Sequence, residues 1–118
     1  AFDKPSGSDK PSGSDKSAKV TMIHADWCGF CKKAKPEWKS LTDKIHDKVV
    51  NGYHIIMNDL EHKRDEKEIK EKYSDVDGYP TYVVEVSDSS GKLLKKDKFN
   101  SIEESDMKEK IEKVLDSV

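Results

Sequence analysis

Residues 20–31 read VTMIHADWCGFC, a β-branched and apolar run ending in two cysteines separated by Gly29 and Phe30. Val20, Met22 and His24 alternate with Thr21 and Ile23, and the mostly apolar character of both sets predicts a strand buried on its two faces. Beyond the cysteines, Ala34, Trp38, Leu41 and Ile45 recur every three or four residues, which makes one apolar stripe along a helix. Pro36 falls inside that helix, where a missing backbone donor predicts a bend about one turn past Cys31. The two cysteines therefore sit where a buried strand turns into a helix.

Further along the chain, Asn51-Gly52 reads as a turn and Tyr53–Met57 as a second strand. Residues Glu61–Lys72 are nearly all charged, with Ile69 and Tyr73 one helical turn apart, and predict a helix solvated on its outer face. Thr81–Val86 and Lys92–Lys98 read as strands joined by the turn residues Asp88-Ser89-Ser90-Gly91. Ser101, followed by Glu103 and Glu104, opens a last helix with Met107, Ile111, Val114 and Leu115 on its apolar face. The order β-α-β-α-β-β-α is that of an α/β chain. A helical crossover demands parallel strands and a tight hairpin antiparallel ones, so four strands form a mixed sheet with the first strand inside it. The carboxyl end of such a strand is a usual place for a site, and the cysteines occupy it.

The beginning of the chain has a different character. Residues 3–8 and 9–14 both read DKPSGS, and residues 15–17 start a third copy. With nothing apolar to offset an ordering cost of about 1–2 kcal/mol per residue, residues 1–17 are expected to be a disordered linker, and residues 18–118 the domain. The chain has 118 residues, 39% of them charged and 33% hydrophobic, a length suited to one domain with a small core. A formal net charge of -2 gives no basic field to attract nucleic acid or an anionic membrane. No run of apolar residues exceeds three, against the about 20 that a membrane-spanning helix needs. A cytoplasmic location is the working expectation, and an extracytoplasmic one if a signal peptide preceded Ala1.

Two cysteines exclude a disulfide framework, so sulfur chemistry rests on Cys28 and Cys31. A thiolate is the attacking species in disulfide exchange. At the first turn of a helix, free backbone N–H groups and the positive end of the macrodipole favour negative sulfur at Cys28. Three residues later, Cys31 returns to nearly the same helix face, within reach of a mixed disulfide on Cys28.

Trp27-Cys28-Gly29-Phe30-Cys31 after a buried strand, Pro36 five residues past the second cysteine, and Gly78-Tyr79-Pro80-Thr81 opening a strand together resemble the thioredoxin family over roughly residues 18–118. The resemblance implies that Cys28 is an exposed nucleophile and Cys31 a buried resolving thiol. It also implies that Pro80 is a cis proline packed against the pair, with Trp27, Gly29, Phe30 and Tyr79 at a groove for substrate polypeptide. The implied fold is a minimal thioredoxin-like one, as in glutaredoxins, because the linker stands where thioredoxins usually carry an extra strand and helix. The implied activity is thiol–disulfide exchange with protein disulfides or dithiols. It needs no cofactor and runs with a reductase or other dithiol donor, in a monomer.

Two departures shape this expectation. Gly29-Phe30 replaces the family's commonest Gly-Pro, and the intervening dipeptide affects reduction potential, so reduction and oxidation or isomerisation both stay open. Met22 stands at the family's buried acid, six residues before Cys28, which leaves His24 and Asp26 as the nearest candidates for a proton relay. The alternatives are a folding catalyst, since Lys32-Lys33 and Pro36-Glu37-Trp38 after the motif are also similar to protein disulfide isomerase domains, and a non-catalytic adaptor displaying Trp27, Phe30 and Tyr79. His46, His54 and His62 lack ligand-like spacing, so no metal site is expected. There is no Gly-rich phosphate loop and no nucleophilic serine motif to support phosphoryl or acyl transfer.

Overall fold

The computed structural model describes residues 16–76 and 78–118. Its elements are β1 (Ser17–His24), α1 (Gly29–Ile45), β2 (Val49–Val50), β3 (Tyr53–Glu61), α2 (Glu66–Lys72), β4 (Thr81–Ser87), β5 (Leu93–Phe99) and α3 (Glu104–Asp116). They build a five-stranded mixed sheet in the order β2-β3-β1-β4-β5. β1 lies in the middle, parallel to β3 and antiparallel to β4. Strands on both sides and helices on both faces account for the apolar character of β1 in both its alternating sets.

Alternation along β1 separates two cores. Val20 and Met22 face Ala34, Trp38, Leu41 and Ile45 of α1 and Met107, Ile111, Val114 and Leu115 of α3. Ile23 faces the other way, onto Leu60, Val83, Ile69 of α2 and Tyr73. α1 and α3 thus cover one face, and the short α2 covers part of the other. Among the described residues, no helix is long and apolar enough to cross a membrane.

The structure corrects four details of the sequence reading. The sheet has five strands rather than four, because Val49 and Val50 pair with His54 and Tyr53 across the Asn51-Gly52 turn. β3 continues four residues past Met57 to Glu61, following β1 register for register up to His24 and Glu61. Glu61 therefore ends a strand, and α2 starts only at Glu66. Ser17, grouped with the linker by the sequence reading, is the first residue of β1 and pairs with His54 and Ser87. Apart from Lys16 and Ser17, the stretch 1–17 lies outside the described residues. α1 runs as one helix from Gly29 to Ile45 with Pro36 inside it.

Candidate active site

β1 ends at His24, and the chain turns into α1 through Ala25, Asp26 and Trp27. The Cys28 N–H donates to the Ala25 carbonyl at 3.1 Å. Cys28 is the N-cap of α1, with extended backbone, and its sulfur accepts from the Cys31 N–H at 3.2 Å. A sulfur at this position meets one of the unpaired amides that open a helix, an arrangement that favours negative charge. On its other side, the Cys28 thiol donates to the Tyr79 carbonyl at 3.5 Å. Both cysteines are free thiols. Cys31 is fully buried, and Cys28 is only 6% exposed, less open than the resemblance implied, because Ala25 and Tyr79 pack over the pair.

Burial, reinforced by the hydrogen bond with Cys28, pushes the Cys31 thiol up to about 12. The Ala25 amide, which hydrogen-bonds the Cys31 sulfur, and the charge of Lys35 pull the other way without offsetting desolvation. Cys31 is thus held protonated at neutral pH.

The other wall of the site comes from residues 78–81, which lead into β4. The Tyr79–Pro80 peptide bond is cis. Asn100 Nδ2 donates to the Pro80 carbonyl at 2.7 Å, and the Thr81 hydroxyl donates to the Gly78 carbonyl at 2.7 Å, which fixes the segment that supplies the Tyr79 carbonyl. Trp27 and Phe30, 69% and 62% exposed, flank Cys28 and Gly29 in the chain. Trp27 packs edge-on against Tyr79 and His62, and His62 Nδ1 is hydrogen-bonded to the Tyr79 hydroxyl at 2.8 Å. Phe30, Tyr79 and Pro80 line a groove of about 420 Å³ that continues along Asn100, Ile102 and Glu103. A side chain at Gly29 would meet nothing within 4 Å.

Residues 13–117 match the family described as Thioredoxin. The chain belongs to the thioredoxin family. It is 37% identical over 71 residues to "Protein disulfide-isomerase like 2-2" of Arabidopsis thaliana, a match covering 60% of this chain but 14% of that protein. The chain thus spans about a seventh of that relative's length. Among solved structures it is similar to the Trx4 domain of ERdj5, with a TM-score of 0.68 at 16% identity, covering 86% of this chain and 82% of that one. It is also similar to Fasciola hepatica thioredoxin, with a TM-score of 0.53 at 26% identity, covering 82% of this chain and 80% of that one. At the family level, fold and relatives are those of thiol–disulfide oxidoreductases.

In this thioredoxin-family chain the structure gathers Trp27, Cys28, Gly29, Phe30, Cys31, Tyr79 and Pro80 at one end of the sheet. Of the two candidate relay residues, one is exposed and the other buried. Asp26 points to solvent, with its carboxylate 3.5 Å from Lys35 Nζ. His24 is 4% exposed and its Nε2 lies 3.1 Å from Asp59 Oδ2. Asp59, Glu61, His62 and Asn100 escaped the sequence reading as site residues. They come from the end of β3 and from beyond β5, far along the chain, and carry no local motif; only the expectation of parallel β1 and β3 placed their strand end beside the cysteines. Among the described residues, no group of three His, Cys, Asp or Glu side chains is arranged to hold a metal.

Proposed function

We propose that this chain exchanges disulfides with polypeptide substrates, Cys28 attacking and Cys31 resolving. The observation that carries the reading is the difference between the two sulfurs. Cys28 caps a helix and accepts the Cys31 amide, whereas Cys31 is buried and keeps its proton up to about 12. In the reductive direction, Cys28 attacks a substrate disulfide, forms a mixed disulfide and releases one substrate thiolate. Cys31, once deprotonated, attacks Cys28; the mixed disulfide breaks, the second substrate thiolate leaves, and a Cys28–Cys31 disulfide remains. The reverse sequence oxidises substrate thiols. Trp27, Phe30, Tyr79 and Pro80 form the contact surface, which suits an extended segment laid beside the Tyr79 carbonyl. The partners are protein disulfides or dithiols together with a dithiol donor, the protein acts as a monomer, and no cofactor is required.

Insulin reduction with dithiothreitol tests this reading. Turnover that disappears in Cys28→Ser supports it, and binding of a partner that survives loss of both sulfurs, without turnover, supports the adaptor instead. A second reading, catalysis of disulfide formation and isomerisation, is favoured by the likeness to a protein disulfide-isomerase-like relative. The reduction potential of the pair separates the directions: about −270 mV is that of a reductant, about −180 mV that of an isomerase.

A further inference from the structure

Resolution requires a proton to leave Cys31, and the surroundings of that sulfur narrow the choice of acceptor. The Cys31 sulfur lies against the Ala25 amide, immediately after His24, and feels the charge of Lys35, one helical turn further along α1. His24, Asp26, Lys35, Asp59, Glu61 and Arg64 line a cavity of about 390 Å³ whose remaining walls are Met22 and Trp38. This space is polar and large enough for water. From the register of β1 with β3, Met22 and His24 share a face with Asp59 and Glu61.

We propose that His24, oriented by Asp59, receives the Cys31 proton in the resolving step. A carboxylate only accepts hydrogen bonds, so the 3.1 Å contact of His24 Nε2 with Asp59 Oδ2 places the ring hydrogen on Nε2. In the neutral ring, the lone pair is then on Nδ1, which is buried and has no hydrogen-bond partner among the described residues. An unpaired buried acceptor costs stability, and a catalytic role is one reason for keeping it.

The other titratable groups that line this space, or that feel the charge of His24 or Cys31, are poor acceptors. From β3, Glu61 is held below the usual carboxylate range, chiefly by the backbone amide of Arg64 and also by those of Lys63 and Asp26. From the loop after β3, Asp65 is held low by Arg64, and Arg64 itself is a cation paired with Asp65 and Asp59. From α1, Lys35 is a cation beside the exposed Asp26. From β4, burial keeps the Tyr82 hydroxyl neutral well into the alkaline range. The sequence of events balances: the Cys31 proton passes to His24 Nδ1, the Cys31 thiolate forms a bond to Cys28, and the Cys28–substrate bond breaks. The substrate sulfur leaves with the electron pair. Asp59 stabilises the imidazolium until solvent takes the proton.

The inference rests on the oxidoreductase reading, and one experiment keeps the two apart. The reduced protein is mixed with one equivalent of 5,5′-dithiobis(2-nitrobenzoate), and the coloured thiolate is followed by stopped flow. Cys28 releases the first equivalent and Cys31 the second. A wild-type chain that never releases the second equivalent overturns the oxidoreductase reading. If it does release it, His24→Gln is expected to leave the first release within about twofold and to slow the second on the order of a hundredfold at pH 7. The wild-type second step should rise with pH and level off below the range in which Cys31 itself titrates, whereas in His24→Gln it should climb steadily into that range. Asp59→Asn, a change at a half-exposed position, should move the inflection to lower pH. A second release of unchanged rate and profile in His24→Gln overturns the proposal. So does a slower one that keeps its inflection, since that is the mark of a packing role. Should His24→Gln not fold, an inflection unmoved in Asp59→Asn overturns it equally.

Discussion

Cys31 shows how one buried atom links stability to chemistry. Its thiol titrates near 9.0 when unperturbed and near 12 in the folded chain, so between these values the unfolded state has lost a proton that the native state still holds. Below pH 9 both states keep the proton and the contribution is constant; above it, stability falls as pH rises. Tyr73 acts in the same direction, since burial and its hydrogen bond to Glu85 raise it from 10.0 to about 12. Urea denaturation midpoints of the reduced protein should therefore drop between pH 9 and pH 11, and drop less in Cys31→Ala. An equal drop in both proteins would show that the thiol is not desolvated as its burial requires. At this scale the cysteines, their flanking aromatics and Pro80 were readable in the sequence, because each is part of a local motif. The degree of shielding of Cys28 was not. It depends on the Tyr79 carbonyl, which lies 51 residues away in the chain and 3.5 Å away in space.

The elements were legible to the extent that periodicity had room to repeat. α1 and α3 show their apolar stripe over three or four turns, and the stripe is the buried face in both. β2 is two residues long, too short for any alternation to register, and only its Asn51-Gly52 turn was visible. Glu61 misled for a different reason. It opens a charged run that resembles a helix, but its carboxylate accepts from the Lys63 and Arg64 amides at 3.0 and 2.7 Å and ties down a turn, while its backbone still belongs to β3. In the β2–β3 hairpin, Asn51 and Gly52 have φ of 52° and 87°, the left-handed pair that a two-residue turn needs to match strand twist. There is space for a side chain at Gly52, so the penalty of Gly52→Ala is conformational, about 1–2 kcal/mol. Because β1 and β3 are parallel, this turn lies at the end of the sheet opposite Cys28. The substitution should lower the urea midpoint and leave both steps of thiolate release unchanged; an unaltered midpoint would mean that the turn does not hold β2 in place.

For the whole molecule, the sheet divides its apolar side chains unevenly. Among the described residues, seventeen buried ones join α1 and α3 to one face, whereas five join α2 to the other. Since local opening is least costly where few apolar contacts are lost, the α2 side should unfold ahead of the rest. α2 has seven residues, too few to stand alone, and only Ile69 within it is buried. Its docking depends on Ile69 and on Tyr73 at its end, whose hydroxyl donates to Glu85 at 2.7 Å. The Ile69 and Tyr73 amides are hydrogen-bonded within the helix, so their exchange with deuterium reports opening rather than mere exposure. They should exchange at least about tenfold faster than the amides around Leu41 in α1 and Ile111 in α3. Tyr73→Phe should widen the gap, because it removes the hydrogen bond while leaving the ring in place, and should leave α1 and α3 nearly unaffected. Equal protection across the three helices would mean that the two faces unfold as one unit. In that case the motif at the start of α1 would share its stability with the α2 face, and the sparse packing there would have no separate dynamic consequence.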